Sequence, residues 1–340
     1  MNFTEKIILW YKQNKRDLPW RNTQNPYYIW LSEIILQQTR VAQGLSYYQK
    51  FIQEFPTVAD LANANEEQVL KNWQGLGYYS RARNLHKTAK IIVDNYNGIF
   101  PQKYEELLNL KGIGPYTAAA IASFSFKEPI CVVDGNVFRV FSRYFGIKDD
   151  IAVTKNRKIF QKLGNEIIDI KEPDTFNQAL MDFGATVCTP KKALCTECIF
   201  NNSCYAFSKN EVENLPINNK KIKTKDRFLH YIIAEIDNNI FIKKRNESDI
   251  WEGLYDFPLL ELKSKNEHSV VENKLKKVFN LPSVYLYKDT IVHKLSHQNL
   301  HITFWKTDHS INGEYKKIEK EIAKDYAFPI VIWNHIVSKF

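Results

Sequence analysis

Four of the five cysteines in this 340-residue chain fall in one short segment, CTPKKALCTECIFNNSC. They are Cys188, Cys195, Cys198 and Cys204, spaced as C-x6-C-x2-C-x5-C. Thiols this dense in an otherwise cysteine-poor chain favour a shared metal centre over four unrelated side chains. A single C-x2-C pair with unequal flanking loops favours a four-iron cluster held by one segment. Zinc remains the alternative, because it accepts any set of four thiolates.

Other features of the sequence indicate the cellular compartment of the protein. The N-terminus carries charges where a signal peptide needs an apolar run, and the stretch YTAAAIASFSF is too short to span a bilayer. We therefore expect a soluble cytoplasmic protein, a compartment in which disulfides are rare. The fifth cysteine, Cys131, lies in the apolar run PICVVD and is expected in the core.

The charge balance favours a polyanionic partner. Lys plus Arg number 47 against 38 for Asp plus Glu, which gives a net charge of +9. A solvated basic surface without a partner is the other interpretation. Lys191 and Lys192 lie inside the cysteine segment, where they either contact phosphate or remain two solvated lysines.

The chain length and the order of its patterns indicate two domains. Residues 1–205 read as mostly helical, and one of these helices is expected to begin with Asn25 as the N-cap and Pro26 at the first position. Residues 209–226 are polar and read as a linker. Beyond it, FLHYIIAEIDNNIFIKKR predicts a β-hairpin turning at Asn238-Asn239, followed by a helix and further strands, an α+β domain.

The stretch LLNLKGIGPYTAAAIASF predicts two helices joined by a tight turn. Gly112 and Gly114 allow close approach of backbone N–H groups to a ligand, and the second helix opens at Pro115. This pattern is typical of a helix–hairpin–helix, which binds DNA phosphate without reading base sequence. An ordinary helix–turn–helix corner is the alternative.

Two carboxylates are candidates for chemistry. Asp134 follows an apolar run and precedes a helix in VVDGNVFRVFSR, so by itself it is expected to be an N-cap, with Asn136 as a turn residue. Glu33 lies on a largely apolar helix face in WLSEIILQQT. Burial there would raise its pKa and suit a general acid, but taken alone it reads as a partly exposed helix glutamate.

Together these motifs resemble the helix–hairpin–helix iron–sulfur DNA glycosylases related to endonuclease III. LPWR, WLSEIILQQT, GLGYYSRARNLH, VVDGNVFRVFSR and FNQALMDFGATVCT look like the adenine DNA glycosylase (MutY) branch, almost continuously over residues 15–205. The resemblance implies a glycosylase region at 1–208, with a six-helix barrel at about 24–132 and an iron–sulfur subdomain from 1–23 and 133–208. It implies a [4Fe-4S] cluster on the four cysteines and a monomer that binds duplex DNA holding 8-oxoguanine:adenine or guanine:adenine mispairs.

The resemblance also implies roles for individual residues. Glu33 would protonate the flipped adenine, Asp134 would stabilise the oxocarbenium ion, and Asn136 and Tyr116 would support them. The implied substrate and DNA contacts in this region are Trp20, Arg21, Leu36, Gln37, Gln38, Thr39, Tyr78, Arg81, Lys111, Gly112, Gly114, Gln178, Lys191 and Lys192. Among them Gln38 and Tyr78 would wedge into the base stack.

Residues 227–340 resemble the Nudix-type domain that recognises 8-oxoguanine in this branch, without the metal-binding Nudix box. The recognition segment would be Leu295, Ser296 and His297, with leucine where the branch has phenylalanine.

Tyr116 occupies the position of the lysine nucleophile in lyase members, so the sequence favours base excision without strand cleavage. The alternatives are an endonuclease III-like glycosylase/lyase acting on oxidised pyrimidines and a non-catalytic iron–sulfur sensor of DNA lesions.

Overall fold

The computed structural model describes residues 1–220, 223–246 and 249–340. Contacts divide the chain into two compact units: residues 1–63 with 84–220, and residues 64–83 with 221–340. The predicted linker 209–226 crosses this division, and its residues up to 220 pack in the first unit. Leu215 is buried there and its carbonyl accepts a hydrogen bond from Arg143. The predicted domain limits stay predictions, and the structure adds that 64–83 belongs with the C-terminal unit.

The first unit is helical, as predicted. Its helices are α1 (Phe3–Asn14), α2 (Pro26–Ile35), α3 (Val41–Glu54), α4 (Val58–Asn63), α6 (Ser80–Tyr96, whose first turn lies in the second unit), α7 (Tyr104–Leu107), α8 (Pro115–Phe126), α9 (Gly135–Phe145), α10 (Arg157–Ile167), α11 (Pro173–Thr186) and α12 (Tyr205–Ser208). None of the helices in the described part of the chain is long and apolar enough to span a membrane.

Local sequence signals set several helix starts in this unit. The side chain of Asn25 accepts a hydrogen bond from the Tyr27 amide, and Pro26 is the first residue of α2, as predicted. Asp134 caps α9 by accepting from the Val137 amide at 2.8 Å. Each cap is thus a polar residue directly before the first turn of a largely buried helix.

One core of this unit lies between α1, α9, α10 and α11 and is rich in phenylalanine. Phe141, Phe160 and Phe176 are fully buried, and each such side chain contributes roughly 1.5–3 kcal/mol of hydrophobic free energy. Cys131 is also fully buried, as predicted. A Cβ on Gly164 would lie 2.4 Å from the Cys131 sulfur, so the close packing of α10 here requires glycine.

The second unit has the predicted α+β character. It contains α5 (Glu66–Trp73), β1 (Lys225–Ile236), β2 (Asn239–Lys244), β3 (Tyr255–Asp256), β4 (Leu259–Leu262), α13 (His268–Phe279), β5 (Tyr285–Lys294), β6 (Gln298–Thr307), β7 (Lys316–Glu319) and α14 (Ile330–His335). The strands form a sheet ordered β3-β2-β1-β6-β5, with β4 paired to β1 and β7 to β2. Strand β1 runs parallel to β6 and antiparallel to β2.

The hairpin between β1 and β2 is present, but the turn predicted at Asn238-Asn239 is wrong by one residue. Ile236 pairs with Asn239, which leaves Asp237 and Asn238 as the two turn residues. Both have positive φ, 47° and 63°. Asp and Asn tolerate the left-handed conformation that a tight hairpin turn requires at both central positions.

Candidate active site and cluster-binding segment

Several chain segments of the first unit meet at one cavity. Helix α2 supplies Glu33, the start of α8 supplies Tyr116, and the entry to α9 supplies Asp134 and Asn136. The remaining lining residues come from the α1–α2 connection, α2 and its C-terminal turn, α3, α8 and α11: Arg16, Leu18, Trp20, Arg21, Ile29, Ser32, Leu36, Thr39, Val41, Phe124, Gln178, Met181 and Ala185. Nine of the residues predicted as catalytic or DNA-binding therefore line one cavity.

Glu33 is buried, with 5% of its surface exposed. Its neighbours Ile29, Trp30 and Ile34 are nearly inaccessible, because α2 is packed on most of its surface. The prediction from residues alone, a partly exposed glutamate, is therefore wrong. Burial raises the pKa of Glu33 to about 7, even though Tyr116 donates its hydroxyl hydrogen to Glu33 Oε2 and so favours the ionised form.

Asp134 serves as both a cap and a cavity group. Its Oδ1 accepts from the Val137 amide and its Oδ2 accepts from the Asn136 side chain, each at 2.8 Å. Burial raises the pKa of Asp134, whereas these hydrogen bonds oppose the rise. The two hydrogen bonds fix the position of this partly desolvated carboxyl group in the cavity.

The four clustered cysteines line a second, apolar cavity together with Val140, Phe183 and Phe200. The Phe200 amide donates to Cys198 Sγ at 3.4 Å, and the Arg143 guanidinium lies 3.5 Å from Cys188 Sγ. Within the described residues no three His, Cys, Asp or Glu side chains lie close enough to share a single metal ion. Four thiols around one apolar cavity, with N–H donors to sulfur, are surroundings that suit an iron–sulfur cluster.

Comparisons with known proteins agree with this geometry. Residues 31–166 match the HhH-GPD superfamily of base excision DNA repair proteins, and residues 230–336 match the NUDIX domain. An adenine DNA glycosylase of Buchnera aphidicola from Acyrthosiphon pisum is 38% identical over 306 residues, covering 88% of this chain and 85% of that protein. One from Buchnera aphidicola subsp. Baizongia pistaciae is 38% identical over 303 residues, covering 88% of this chain and 84% of that protein.

This chain belongs to the adenine DNA glycosylase family. It is an enzyme that binds DNA and removes adenine by cleaving its N-glycosidic bond. A solved thermostable thymine-DNA glycosylase superposes with a TM-score of 0.57 at 30% identity, covering 61% of this chain and 95% of that one. Endonuclease III in a trapped DNA complex superposes with a TM-score of 0.54 at 23% identity, covering 61% and 94%, which establishes the shared fold. [4Fe-4S] clusters are typical of endonuclease III-like members.

The predicted helix–hairpin–helix of this glycosylase lies between α7 and α8. Gly112 has φ of +78°, and a Cβ there would lie 2.8 Å from the Asn84 side chain, so this position requires glycine. Gly114 is the N-cap of α8. Lys111 is exposed, and its carbonyl accepts from Thr88 on α6. The first helix of the motif is shorter than its sequence KYEELLNLKGIG suggests, because α7 ends at Leu107.

The turn that follows α2 carries two further predicted DNA contacts, Gln37 and Gln38. Gln37 Nε2 lies 3.4 Å from Thr117 Oγ1 on α8. Gln38 is exposed and has a positive φ of 57°. A non-glycine residue in this conformation is uncommon, so the turn holds the Gln38 side chain outward at a local cost in backbone energy. Lys191 and Lys192 are likewise exposed, the latter with φ of 55°.

The predicted recognition segment of this glycosylase is the hairpin tip between β5 and β6 in the second unit. Leu295 to His297 form a three-residue loop, closed by the Leu295 amide donating to the Gln298 carbonyl at 2.8 Å. Ser296 and His297 are exposed. In the same unit Tyr78, at φ of 47°, donates its hydroxyl to Ser296 Oγ at 2.9 Å.

Arg81 supports the Tyr78 loop. Its guanidinium donates to the carbonyls of Leu76 and Gly77 at 3.3 and 3.2 Å and lies 5.0 Å from the centre of the Trp73 ring. Burial lowers its pKa to about 10. Arg81, which the resemblance implied to contact DNA, therefore stabilises the Tyr78 loop through these contacts.

The sequence reasoning missed a buried ionic cluster beside the cavity. Asp182 is fully buried and accepts from Arg16 Nε at 2.7 Å and from Arg21 Nη1. It also missed Arg139, whose guanidinium donates to Asn136 Oδ1 at 2.8 Å and to the Gly184 carbonyl at 2.6 Å. Asp182 lies inside the segment FNQALMDFGATVCT, where a carboxylate flanked by apolar residues on a helix was the available signal.

Proposed function

We propose that this glycosylase is monofunctional and acts on adenine paired with 8-oxoguanine or guanine in duplex DNA. The observation that carries the proposal is the meeting of Glu33, Tyr116 and Asp134 in one cavity. Two carboxylates that face one cavity and differ in hydrogen-bonding environment suit an acid and an ion-stabilising group, respectively. The target base must leave the stack to reach them, because its glycosidic bond is inaccessible in the duplex.

Glu33 is assigned as the general acid. With its pKa at about 7, a large fraction of the side chains carry a proton at neutral pH. A protonated carboxyl can donate to a ring nitrogen of the flipped adenine and make the base a neutral leaving group. Tyr116 donates a hydrogen bond to the Glu33 carboxyl group and so fixes its orientation.

Asp134 is assigned to the sugar. As the bond to adenine breaks, positive charge develops on the sugar, and an ionised carboxylate held by Asn136 and the Val137 amide stabilises it. Arg139 in turn holds Asn136, so the pair acts as a positioning layer beneath Asp134. Water then completes hydrolysis.

A tyrosine at position 116 has no amine, so this site lacks the Schiff base on which a lyase step depends. Burial and the nearby carboxylates raise the pKa of Tyr116 well above its usual value, so its hydroxyl stays neutral. These properties favour a product with an abasic site in an intact strand over the endonuclease III-like lyase alternative. The paired carboxylates favour catalysis over the sensor alternative.

Lesion recognition is assigned to the hairpin tip. Ser296 and His297 offer hydrogen-bonding groups to the base opposite the target, and Leu295 offers apolar contact without aromatic packing. Tyr78 and Gln38 are the proposed wedge residues, since both are exposed and both sit in left-handed backbone turns.

Cys188, Cys195, Cys198 and Cys204 are the proposed ligands of a [4Fe-4S] cluster. The cluster would supply structural cross-linking of this segment. It would also fix the loop that presents Lys191 and Lys192, both exposed, toward phosphate. A monomeric state and a cytoplasmic location stay predictions.

Single-turnover cleavage of matched duplexes tests the proposal. We expect strand breaks at adenine opposite 8-oxoguanine, and more slowly opposite guanine, only after alkali treatment. A thymine-glycol duplex should stay intact. Breaks without alkali, or a strong covalent complex trapped by borohydride, would contradict monofunctional excision and favour the lyase alternative. Equal rates opposite 8-oxoguanine and every other base would contradict the recognition role of the hairpin tip.

A further inference from the structure

A polar groove adjoins the catalytic cavity in the first unit. It is lined by residues of the α1–α2 connection, among them Lys15, Asn22 and Thr23, and by Asp174 and Thr175 at the start of α11. Four residues line both the groove and the catalytic cavity: Arg16, Arg21, Phe124 and Gln178. These four side chains therefore form the partition between the groove and the cavity.

Arg16 and Arg21 form a rigid part of the partition, and Gln178 forms a more easily moved part. Arg16 and Arg21 are bound to the fully buried Asp182 by charge-assisted hydrogen bonds. Gln178 is only half-buried, and Tyr11 donates to its Oε1 at 2.6 Å. A single hydrogen bond between neutral groups contributes only about 1 kcal/mol. Rotation of the Gln178 side chain is thus the low-cost way to join the two spaces.

The charges of the groove suit a neutral polar molecule. Arg16 and Arg21 share the single carboxylate of Asp182, and Asp174 lies 3.4 Å from the Lys127 ammonium. The three cations of the lining, Lys15, Arg16 and Arg21, are matched in number by the carboxylates of Asp17, Asp174 and Asp182. The lining also offers amide and hydroxyl side chains at Asn22, Thr23 and Thr175. A phosphate group would need uncommitted cations, whereas a free purine base needs hydrogen-bonding groups and an aromatic wall such as Phe124.

The reaction creates such a molecule inside the cavity. The adenine enters attached to its nucleotide, so the DNA backbone covers the entrance while the base is cut. We propose that the polar groove is the route by which free adenine leaves while the abasic DNA remains bound. This inference rests on the proposed assignment of the catalytic cavity.

The test blocks the groove with a tryptophan. Thr175→Trp fills it from α11, and Asn22→Trp fills it from the α1–α2 connection at an exposed position. Thr154→Trp, at an exposed threonine outside both spaces, is the matched control. Each enzyme in excess is mixed with a duplex whose target adenine is radiolabelled. Excision is followed by alkaline strand cleavage, and label retained with the protein–DNA complex is followed by rapid spin filtration.

We expect Thr175→Trp and Asn22→Trp to excise at the wild-type rate but to release labelled adenine about tenfold more slowly or worse. The Thr154→Trp control should match wild type in both measurements. Release at the wild-type rate from both groove variants would overturn the inference. Loss of excision in both would also overturn it, because the groove would then be part of the base pocket. Absence of excision in the wild-type protein would instead contradict the proposed function.

Discussion

The hydroxyl of Tyr116 donates to Oε2 of Glu33, and burial raises the pKa of both groups. This hydrogen bond opposes the effect of burial on Glu33, since a donor to the carboxylate favours its ionised form. The position that holds a lysine nucleophile in lyase relatives here instead tunes the proposed acid. The balance between burial and this hydrogen bond leaves the pKa of Glu33 at about 7.

Glu33→Gln should abolish most excision while stabilising the fold at alkaline pH. Loss of a general acid costs about 10²–10⁴-fold in rate. Because burial raises the folded-state pKa of Glu33 from 4.5 to about 7, its contribution to stability is complete below 4.5 and is lost as the pH rises through 7. The variant should gain up to about 3 kcal/mol over wild type at pH 9 and much less at pH 4.

Single-turnover rates and urea unfolding at the two pH values check this prediction. Glu166→Gln, at an exposed glutamate on α10, should change neither quantity. Normal excision by Glu33→Gln would show that another group supplies the proton.

The excision rate of the wild-type enzyme should fall as the pH rises through about 7, when Glu33 loses its proton. Tyr116→Phe removes a hydrogen bond that lowers this pKa, so the falling limb should move to higher pH. A pH profile of single-turnover excision for both proteins measures the shift. A limb that stays in place, or moves to lower pH, would disprove the tuning role of Tyr116.

Asp182→Asn should destabilise the protein by about 3 kcal/mol, because it leaves Arg16 and Arg21 without their buried counter-charge. Glu172→Gln offers a matched comparison, since its ion pair with Lys12 is exposed and should contribute less than about 1 kcal/mol. Urea unfolding of the two variants measures the difference. Equal, small effects would mean that the cluster beside the cavity is not energetically important.

Cys198→Ser should remove the visible absorbance of an iron–sulfur cluster and lower the melting temperature, because ligand loss removes a structural centre. Cys131→Ser should keep the colour, since this thiol is fully buried among Phe141 and Phe160 and is assigned to the core. Absorption spectra and iron analysis of both proteins provide the measurement. A colourless wild-type protein that contains zinc would replace the proposed cluster with a zinc site.

Lys191→Ala and Lys192→Ala should weaken binding to undamaged duplex and make its salt dependence shallower by about one unit for each phosphate that the variant no longer neutralises. Lys162→Ala, at a lysine that is 81% exposed on α10, is the control. Fluorescence anisotropy across a salt series gives the slopes. Unchanged slopes in both loop variants would show that these lysines are merely solvated.

Much of the architecture follows from local sequence. Short-range signals correctly predict the helix caps at Asn25 and Asp134 and the tight turn at Gly112 and Gly114. They also predict the order of a helical region followed by strands. The predicted position of the hairpin turn was wrong by one residue. The sequence Asp237-Asn238-Asn239 allows two overlapping tight turns, and only the pairing of Ile236 with Asn239 selects between them.

The sequence by itself determined the fold class, the family and the residue types available for chemistry. Only the tertiary structure decided that Glu33 is buried, that Asp182 pairs with two arginines beside the cavity, and that residues 64–83 belong to the C-terminal unit. The physical reason is that desolvation and ion pairing depend on segments distant in the chain: α2 meets α8, and the α1–α2 connection meets α11. A local pattern predicts the helix on which Glu33 lies, but the pKa of its carboxyl group depends on all the groups packed around it.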